Sequence, residues 1–289
     1  MIDARLEAAE KARTLIEALP YIRSYRGQTV VVKLGGAALD DPRLATLVAE
    51  DLALMGLVGI RLIVVHGGGP QISEAMVAAG VEPRFVDGLR VTDDPSIEIV
   101  RRVLVGSIAP DLVARLCAVG SSAVGLSGID GNLLVGARVT APGGQDLGQV
   151  GEITHVRADL LDSLLEDGHT PVVSSIAVDA SGAPLNVNAD AAAGAVAAAV
   201  GATKLVFLTN VEGLYRDLGD EGSLISEIKL DELAAMVPGL STGMRPKAVA
   251  AVDALRAGVT KVHILDGRIE RSLLLEVFTD EGIGTQVLP

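Results

Sequence analysis

The sequence predicts an α/β protein whose central sheet is mainly parallel and covered by helices on both faces. Strand-like and helix-like segments alternate along nearly the whole 289-residue chain. The strand-like segments, TVVVKL at 29–34, LIVV at 62–65 and KLVFL at 204–208, are short and predominantly apolar, as expected of strands buried on both faces. Hydrophobic residues make up 49% against 21% charged, enough for a large core. With only 2% aromatics, that core must be Val, Leu, Ile and Ala. The length fits one large α/β unit or two lobes sharing a sheet.

Asp3 to Leu19 reads as an amphipathic helix, and Pro20 disfavours its continuation. Thr29 to Leu34 is a buried strand ended by Gly35 and Gly36. Asp41 caps a helix that Pro42 starts and that runs to about Gly56. The strand Leu62–Val65 then runs into Gly67, Gly68 and Gly69, and Pro70 opens a helix to Ala79. Val81 to Thr92 is irregular. Pro95 to Ala118 is helical with an interruption near Pro110, and Ser122 to Leu126 is a strand. Asp130 to Val156, with short alternating runs around Pro142-Gly143-Gly144, reads as a small antiparallel hairpin flap. A helix (Leu160–Glu166), a strand (Pro171–Ser174), the alanine helix to Val200 with Asn188 as its cap, and the strand Lys204–Leu208 follow. The remainder reads as a turn at Asn210 and Gly213, a helix Asp231–Met236, a loop STGMRP, a helix from Pro246, a strand Lys261–Leu265, a helix Ser272–Phe278 and a last strand Gly284–Leu288.

Several classes are disfavoured. A formal net charge of −13 and few aromatics argue against nucleic acid as a partner. Cys117 is alone, so no internal disulfide is possible and a reducing cytoplasm suits the chain. No signal-peptide pattern or membrane-length apolar run is visible. The four histidines lack metal-ligand spacing, and no G-x-S-x-G supports serine-hydrolase chemistry.

The chemistry centres on Arg61–Ser73, RLIVVHGGGPQIS. A buried strand, three glycines and a proline-started helix read either as a tight turn needing small residues or, the favoured reading for three glycines in a row, as an anion site where free N–H groups and the positive end of the helix dipole converge. Lys33 stands inside an apolar strand, where a charge needs a partner. It is either functional, or snorkels at the sheet edge, or forms a plain ion pair. Lys247 lies in the first turn of a helix, where cations are disfavoured unless an anion sits between; otherwise it is solvated. Asp190 opens the alanine helix as a simple first-turn acid or as the counter-ion of the lysines. Asn186 and Asn188 are turn residues or amide ligands, and Arg90 is a surface arginine or a carboxylate fork. Glycine amides, two lysines and few candidate bases suit phosphoryl transfer to an acceptor that is already anionic.

In order, VVVKLGG, VVHGGGPQI, GLRVT, PVVSSIAV, NVNADAAA, GMRPK, HILDGR and FTDEGIGT resemble the motifs of the N-acetyl-L-glutamate kinases, a group within the amino acid kinase family. The likeness runs from about residue 10 to the end. It implies a three-layer α/β/α sandwich: an oligomerising and regulatory helix over 1–26, a lobe over 27–180 for the acyl amino acid, and a lobe over 181–289 for ATP. The implied reaction is ATP-dependent phosphorylation of the γ-carboxylate of N-acetyl-L-glutamate, the second step of arginine synthesis. Lys33 and Lys247 would stabilise the transition state and Asp190 would orient both. Gly68, Gly69, Arg90 and Asn186 would bind the acceptor. Gly35, Gly36, Asn210, Gly213, Tyr215 and Ser241 would line the nucleotide site. Mg²⁺ would arrive on the nucleotide phosphates, with no metal site in the protein.

The N-terminal helix is similar to that of arginine-inhibited members, which are hexameric trimers of dimers. On that likeness His263, Glu281 and Gly284 would contact L-arginine. The chain departs from the family pattern at Ala37, Ile129 and Asn210, and Asn210 affects the expected nucleotide contacts. Two alternatives stay open at this level: a kinase of acetylated or carrier-linked aminoadipate, and a non-catalytic arginine sensor of the same fold.

Overall fold

In the computed structural model, which describes residues 12–217, 219–279 and 282–289, the eight strands of the central sheet lie in the order Glu227–Lys229, Thr285–Leu288, Lys261–Asp266, Lys204–Thr209, Thr29–Leu34, Arg61–His66, Thr170–Ser174 and Ala123–Ser127. Every neighbouring pair is parallel except Lys261–Asp266 with Thr285–Leu288. The predominantly apolar runs are explained by two cores, one on each face. Val31, Ile63, Val65, Leu205 and Phe207 belong to one. Val30, Val32, Leu62, Val64, Val206 and Leu208 belong to the other. Strand residues alternate between faces, so Lys33 shares the face of Val31. That face is covered by the helix Ala189–Ala199, through Ala192, Ala193, Val196 and Ala197.

Most sequence expectations match. Asp41 caps the helix Pro42–Leu57 by accepting from the Arg43 and Leu44 amides, and Asn188 caps Ala189–Ala199 through the amides of Asp190 and Ala191. The break expected at Pro20 falls two residues earlier, at Ala18, where the helix over residues 12–17 gives way to a second one. Pro20 sits in the first turn of a helix, Leu19–Tyr25, where a missing N–H is tolerated. The first eleven residues of the expected N-terminal helix lie outside the described residues; residues 12–17 are helical.

The break near Pro110 is a change of helix type. Asp94–Val103 passes through a wide π turn, Leu104–Ile108, into Ala109–Ala118. The π turn immediately precedes Pro110, whose ring and missing N–H are incompatible with ordinary mid-helix bonding. The flap is also more than a hairpin. Leu134–Thr140 and Asp146–Val156 pair antiparallel, and Ile176–Val178 and Pro184–Val187 close them into a four-stranded barrel. The alternating pattern was readable locally, but the two closing strands come from the far side of the intervening helix Ala158–Glu166. Among the described residues no helix is long and apolar enough to cross a membrane.

Candidate active site

Two cavities open at the carboxyl ends of the central strands, where ligands of parallel sheets are expected. The first, about 240 Å³, is lined by the glycine turn 67–69, Gly35, Gly36, Lys33, Arg90, Asn186 and Asp190. The second, about 790 Å³, is lined by Gly213, Tyr215, Met236, Ser241, Met244 and Lys247. Asp190 joins them. Its Oδ1 lies 2.9 Å from Lys33 Nζ and its Oδ2 accepts from Lys247 Nζ at 3.0 Å. The Lys33 contact is a charge pairing without hydrogen-bond alignment, because Oδ1 has no hydrogen-bond partner. Burial alone would push the Asp190 carboxyl up, but the two ammonium groups outweigh it and hold it below the ordinary carboxylate range.

Each member has a local cause. Lys33 follows the strand alternation onto the face of the alanine helix. Gly35 leaves room for it, since a Cβ there would stand 2.6 Å from Lys33 Nζ. Lys247 sits in the first turn of Arg245–Arg256 and also donates to the Gly243 carbonyl at 3.2 Å. That helix lies close against Ala189–Ala199 because Gly194 offers no side chain: a Cβ there would be 3.1 Å from the Ala250 carbonyl oxygen.

The triglycine turn serves close approach. None of the three residues is in the left-handed region, and Gly68 has an extended φ of 175°. A Cβ on Gly68 would lie 2.2 Å from Ile108 Cδ1 and 3.1 Å from Leu104 Cδ2, so the π turn packs directly on it. A Cβ on Gly67 would meet Ala189 at 3.1 Å, whereas one on Gly69 would stand in open space. Gly69 begins the helix Gly69–Ala78, with Pro70 in its first turn. Its first-turn amides lack intrahelical partners, so a positive dipole end faces the cavity.

His66, fully buried, fixes this turn. Its Nδ1 is 3.0 Å from the Gly67 carbonyl and its Nε2 is 3.0 Å from Ser174 Oγ. A carbonyl can only accept, so Nδ1 carries the proton and bare Nε2 accepts from the Ser174 hydroxyl. Burial lowers the imidazole pKa to about 4, assisted by the Lys33 charge and opposed by the Gly67 bond. The ring is therefore neutral at physiological pH. Below its ordinary pKa the unfolded chain binds a proton that the folded one refuses, so stability falls as pH drops from 6.5 toward 4. Over that window His66 should account for a loss of about 3 kcal/mol. Urea midpoints of wild type and His66→Gln against pH measure this: the difference between them should narrow as pH falls, and parallel curves would refute the assignment.

Arg90 is buried at 8% exposure, not at the surface. It donates to the Gly69 carbonyl at 2.9 Å and Ser73 Oγ at 2.8 Å, and lies 4.6 Å from the Phe85 ring centre. Burial pulls its pKa down, and among the described residues no carboxylate pairs with it. A buried guanidinium on a cavity wall, without an internal anion, is suited to an anionic ligand. Asn186 stands on Pro184–Val187 at the rim of the same cavity.

The residues expected around a nucleotide divide. Gly213, Tyr215 and Ser241 line the second cavity; Gly35 and Gly36 line the first. Asn210 bridges toward them: Gly36 has φ +58°, and a Cβ there would overlap the Asn210 amide at 2.1 Å.

A third cavity, about 610 Å³, contains His263 and Gly284; Glu281 lies outside the described residues. Two of its charged residues, Lys204 and Glu276, are not singled out by the sequence. Lys204 is fully buried and pairs with Glu276 at 2.8 Å, and Glu276 Oε1 is 2.5 Å from His263 Nδ1. Burial would raise Glu276, but His263 and Lys204 hold it below its ordinary value. Lys204 opens the apolar run KLVFL and so carries the signal that marked Lys33, a charge within a buried strand.

A model of the amino acid kinase family matches residues 28–266. The acetylglutamate kinase of Acidothermus cellulolyticus is 50% identical over 286 residues, covering 96% of this chain and 97% of that protein. That of Symbiobacterium thermophilum is 48% identical over 289 residues, covering 98% and 99%. Among solved structures, N-acetylglutamate synthase from Neisseria gonorrhoeae with coenzyme A and N-acetyl-glutamate superposes with a TM-score of 0.86 at 30% identity. Its complex with coenzyme A and L-arginine gives 0.81 at 30% identity. Each match covers 96% of this chain, which spans 63% and 65% of the synthase chains respectively.

Proposed function

The chain belongs to the amino acid kinase family, and from that premise we propose that it transfers the γ-phosphoryl group of ATP to the side-chain carboxylate of N-acetyl-L-glutamate. The product is N-acetyl-L-glutamyl 5-phosphate, and ADP leaves. The observation that carries this reading is that one buried carboxylate, Asp190, holds a lysine in each of two adjoining cavities.

The glycine-lined cavity suits the acceptor. Arg90, without an internal counter-ion, takes its α-carboxylate. Asn186 meets the acylamide, and the Gly68 and Gly69 amides face the reacting end. The second cavity, with Gly213, Tyr215 and Ser241, suits the nucleotide, and Asn210 and Gly36 stand between the two. An oxygen of the acceptor carboxylate forms a bond to the γ-phosphorus as the bond to the β,γ-bridging oxygen breaks. The acceptor is already ionised, so no base is needed; the obstacle is repulsion between anions. Lys33, Lys247 and the helix-start amides offset that repulsion. Asp190 keeps both ammonium groups in place without itself exchanging a proton, as its depressed pKa requires. Mg²⁺ would enter on the nucleotide phosphates and supply further charge neutralisation. The described residues contain no group of three or more His, Cys, Asp or Glu fit to hold an ion by themselves.

The reading extends to regulation and assembly. The third cavity, with Lys204, Glu276, His263 and Gly284, suits L-arginine, whose carboxylate and guanidinium need both signs of charge in one place. Residues 1–26 would link dimers into a hexamer, with 27–180 as the acceptor lobe and 181–289 as the nucleotide lobe. The single free cysteine suits the cytoplasm.

Purified protein with ATP, Mg²⁺ and N-acetylglutamate should yield hydroxamate when hydroxylamine traps the acyl phosphate, and added arginine should reduce the yield. No hydroxamate above background would overturn the kinase reading. Comparing kcat/KM on N-acetylglutamate and N-acetylaminoadipate settles the acceptor, since one methylene is worth about 1–3 kcal/mol.

A further inference from the structure

We propose that Thr92 is a positioning residue of the acceptor site: its hydroxyl sets the amide sense of Asn186, so that Asn186 presents an oxygen to the acyl amino acid. The inference rests on reading the glycine-lined cavity as the acceptor site.

Thr92 is completely buried and sits where three segments meet. Its main chain is held from both sides by the long flap strand Asp146–Val156. The Thr92 amide donates to the Leu147 carbonyl at 2.9 Å, and the Gln149 amide donates to the Thr92 carbonyl at 2.6 Å. Gly148 lies between, at φ +73°, and a Cβ on it would be 2.3 Å from the Thr92 carbonyl oxygen, so this contact admits only glycine. The backbone of Thr92 is thus pinned independently of its side chain.

The side chain faces the two residues assigned to the acceptor. Its Oγ1 is 2.8 Å from the Arg90 carbonyl oxygen and 3.1 Å from Asn186 Nδ2. A hydroxyl has one proton. The Arg90 carbonyl can only accept, so that proton is spent there, and Oγ1 has only lone pairs left for Asn186. Asn186 must then donate through Nδ2. The reversed amide would set two acceptors against each other. Oδ1 is left as the end of Asn186 available to the cavity the residue lines. An acceptor there recognises an N–H, as an N-acylated amino acid offers and an O-acylated hydroxy acid does not. The hydroxyl also ties the main chain of Arg90 to Asn186, so carboxylate fork and amide reader keep a fixed separation.

The test uses Thr92→Val, which keeps the shape and all main-chain bonds, and Thr92→Ser, which restores the hydroxyl. Thr92→Ala replaces Val should the Val variant not fold. The KM for N-acetylglutamate should rise about tenfold or more in Val or Ala, the scale of leaving buried polar groups unmatched. The KM for ATP should stay within about twofold, and Ser should recover most of the loss. Wild type should prefer N-acetylglutamate over 2-acetoxyglutarate, its ester analogue, by roughly tenfold or more, and this preference should shrink in Val because the Asn186 amide can then reverse. An unchanged acceptor KM in Val, no recovery in Ser, or a wild type indifferent to the ester overturns the proposal. Calorimetric binding of N-acetylglutamate separates the failures. Binding without turnover refutes the kinase reading and still decides Thr92 through the variants' Kd. A wild type that neither turns over nor binds N-acetylglutamate overturns both.

Discussion

Lys33→Ala should lower kcat by about a hundredfold or more, and Lys247→Ala should do the same from the other side of Asp190. Each removes a preorganised positive charge from the place where the proposed reaction brings two anions together. In this site, with Lys33 at 8% exposure, water cannot substitute for it readily. The loss should appear in kcat more than in either KM, because repulsion peaks as the carboxylate oxygen approaches the γ-phosphorus. The double variant should lose less than the product of the single losses, since both ammonium groups act on one transition state and share one carboxylate. Steady-state rates of the three variants measure this. A rate within a few-fold of wild type in either single variant would remove that lysine from the mechanism.

Asp190→Ala should cost both activity and stability. The side chains of Lys33 and Lys247 are only 10% and 13% exposed, so deleting their common counter-ion leaves two buried ammonium groups uncompensated. Breaking a buried pair by removing one partner typically costs about 3–5 kcal/mol, and kcat should fall as both lysines shift. The pH dependence has a definite sign. Asp190 is depressed below the ordinary carboxylate value of 3.8, so its contribution is fully present above that pH and is lost only as pH falls through the folded-state pKa. The stability gap between wild type and variant, from urea midpoints, should therefore be flat near neutrality and close only in strong acid. A gap that closes near pH 6 would show that Asp190 is not the paired carboxylate described here.

Lys33 was recognisable from the sequence because an ionised group in the run TVVVKL violates the burial that the run itself announces. The same signal was present at Lys204 in KLVFL, but its partner Glu276 is 72 positions away and gave no sign of burial. Arg90 illustrates the converse. Spacing favoured a surface arginine, because nothing local reveals that Met76, Ser73 and Phe85 fold over it. The triglycine turn was readable as an anion site, yet the reason for Gly68 was not: the π turn against it comes from Leu104 and Ile108.

The sequence by itself did not show the edge strand Glu227–Lys229 or the two strands that close the barrel. It determined the order of the main helices and of seven of the eight central strands, the caps at Asp41 and Asn188, the glycine turn before a helix start and the charges that do not belong in a buried strand. These rest on backbone geometry and on the cost of desolvating charge, which act over a few residues. Only the tertiary structure decided that Lys33 and Lys247 share Asp190, that Arg90 is buried without an anion, and that Thr92 joins Arg90 to Asn186. Those pairings depend on which face of the sheet a residue takes and on how closely Gly194 lets two helices approach. Such distances are set by packing between segments far apart in the chain, and no local pattern encodes them.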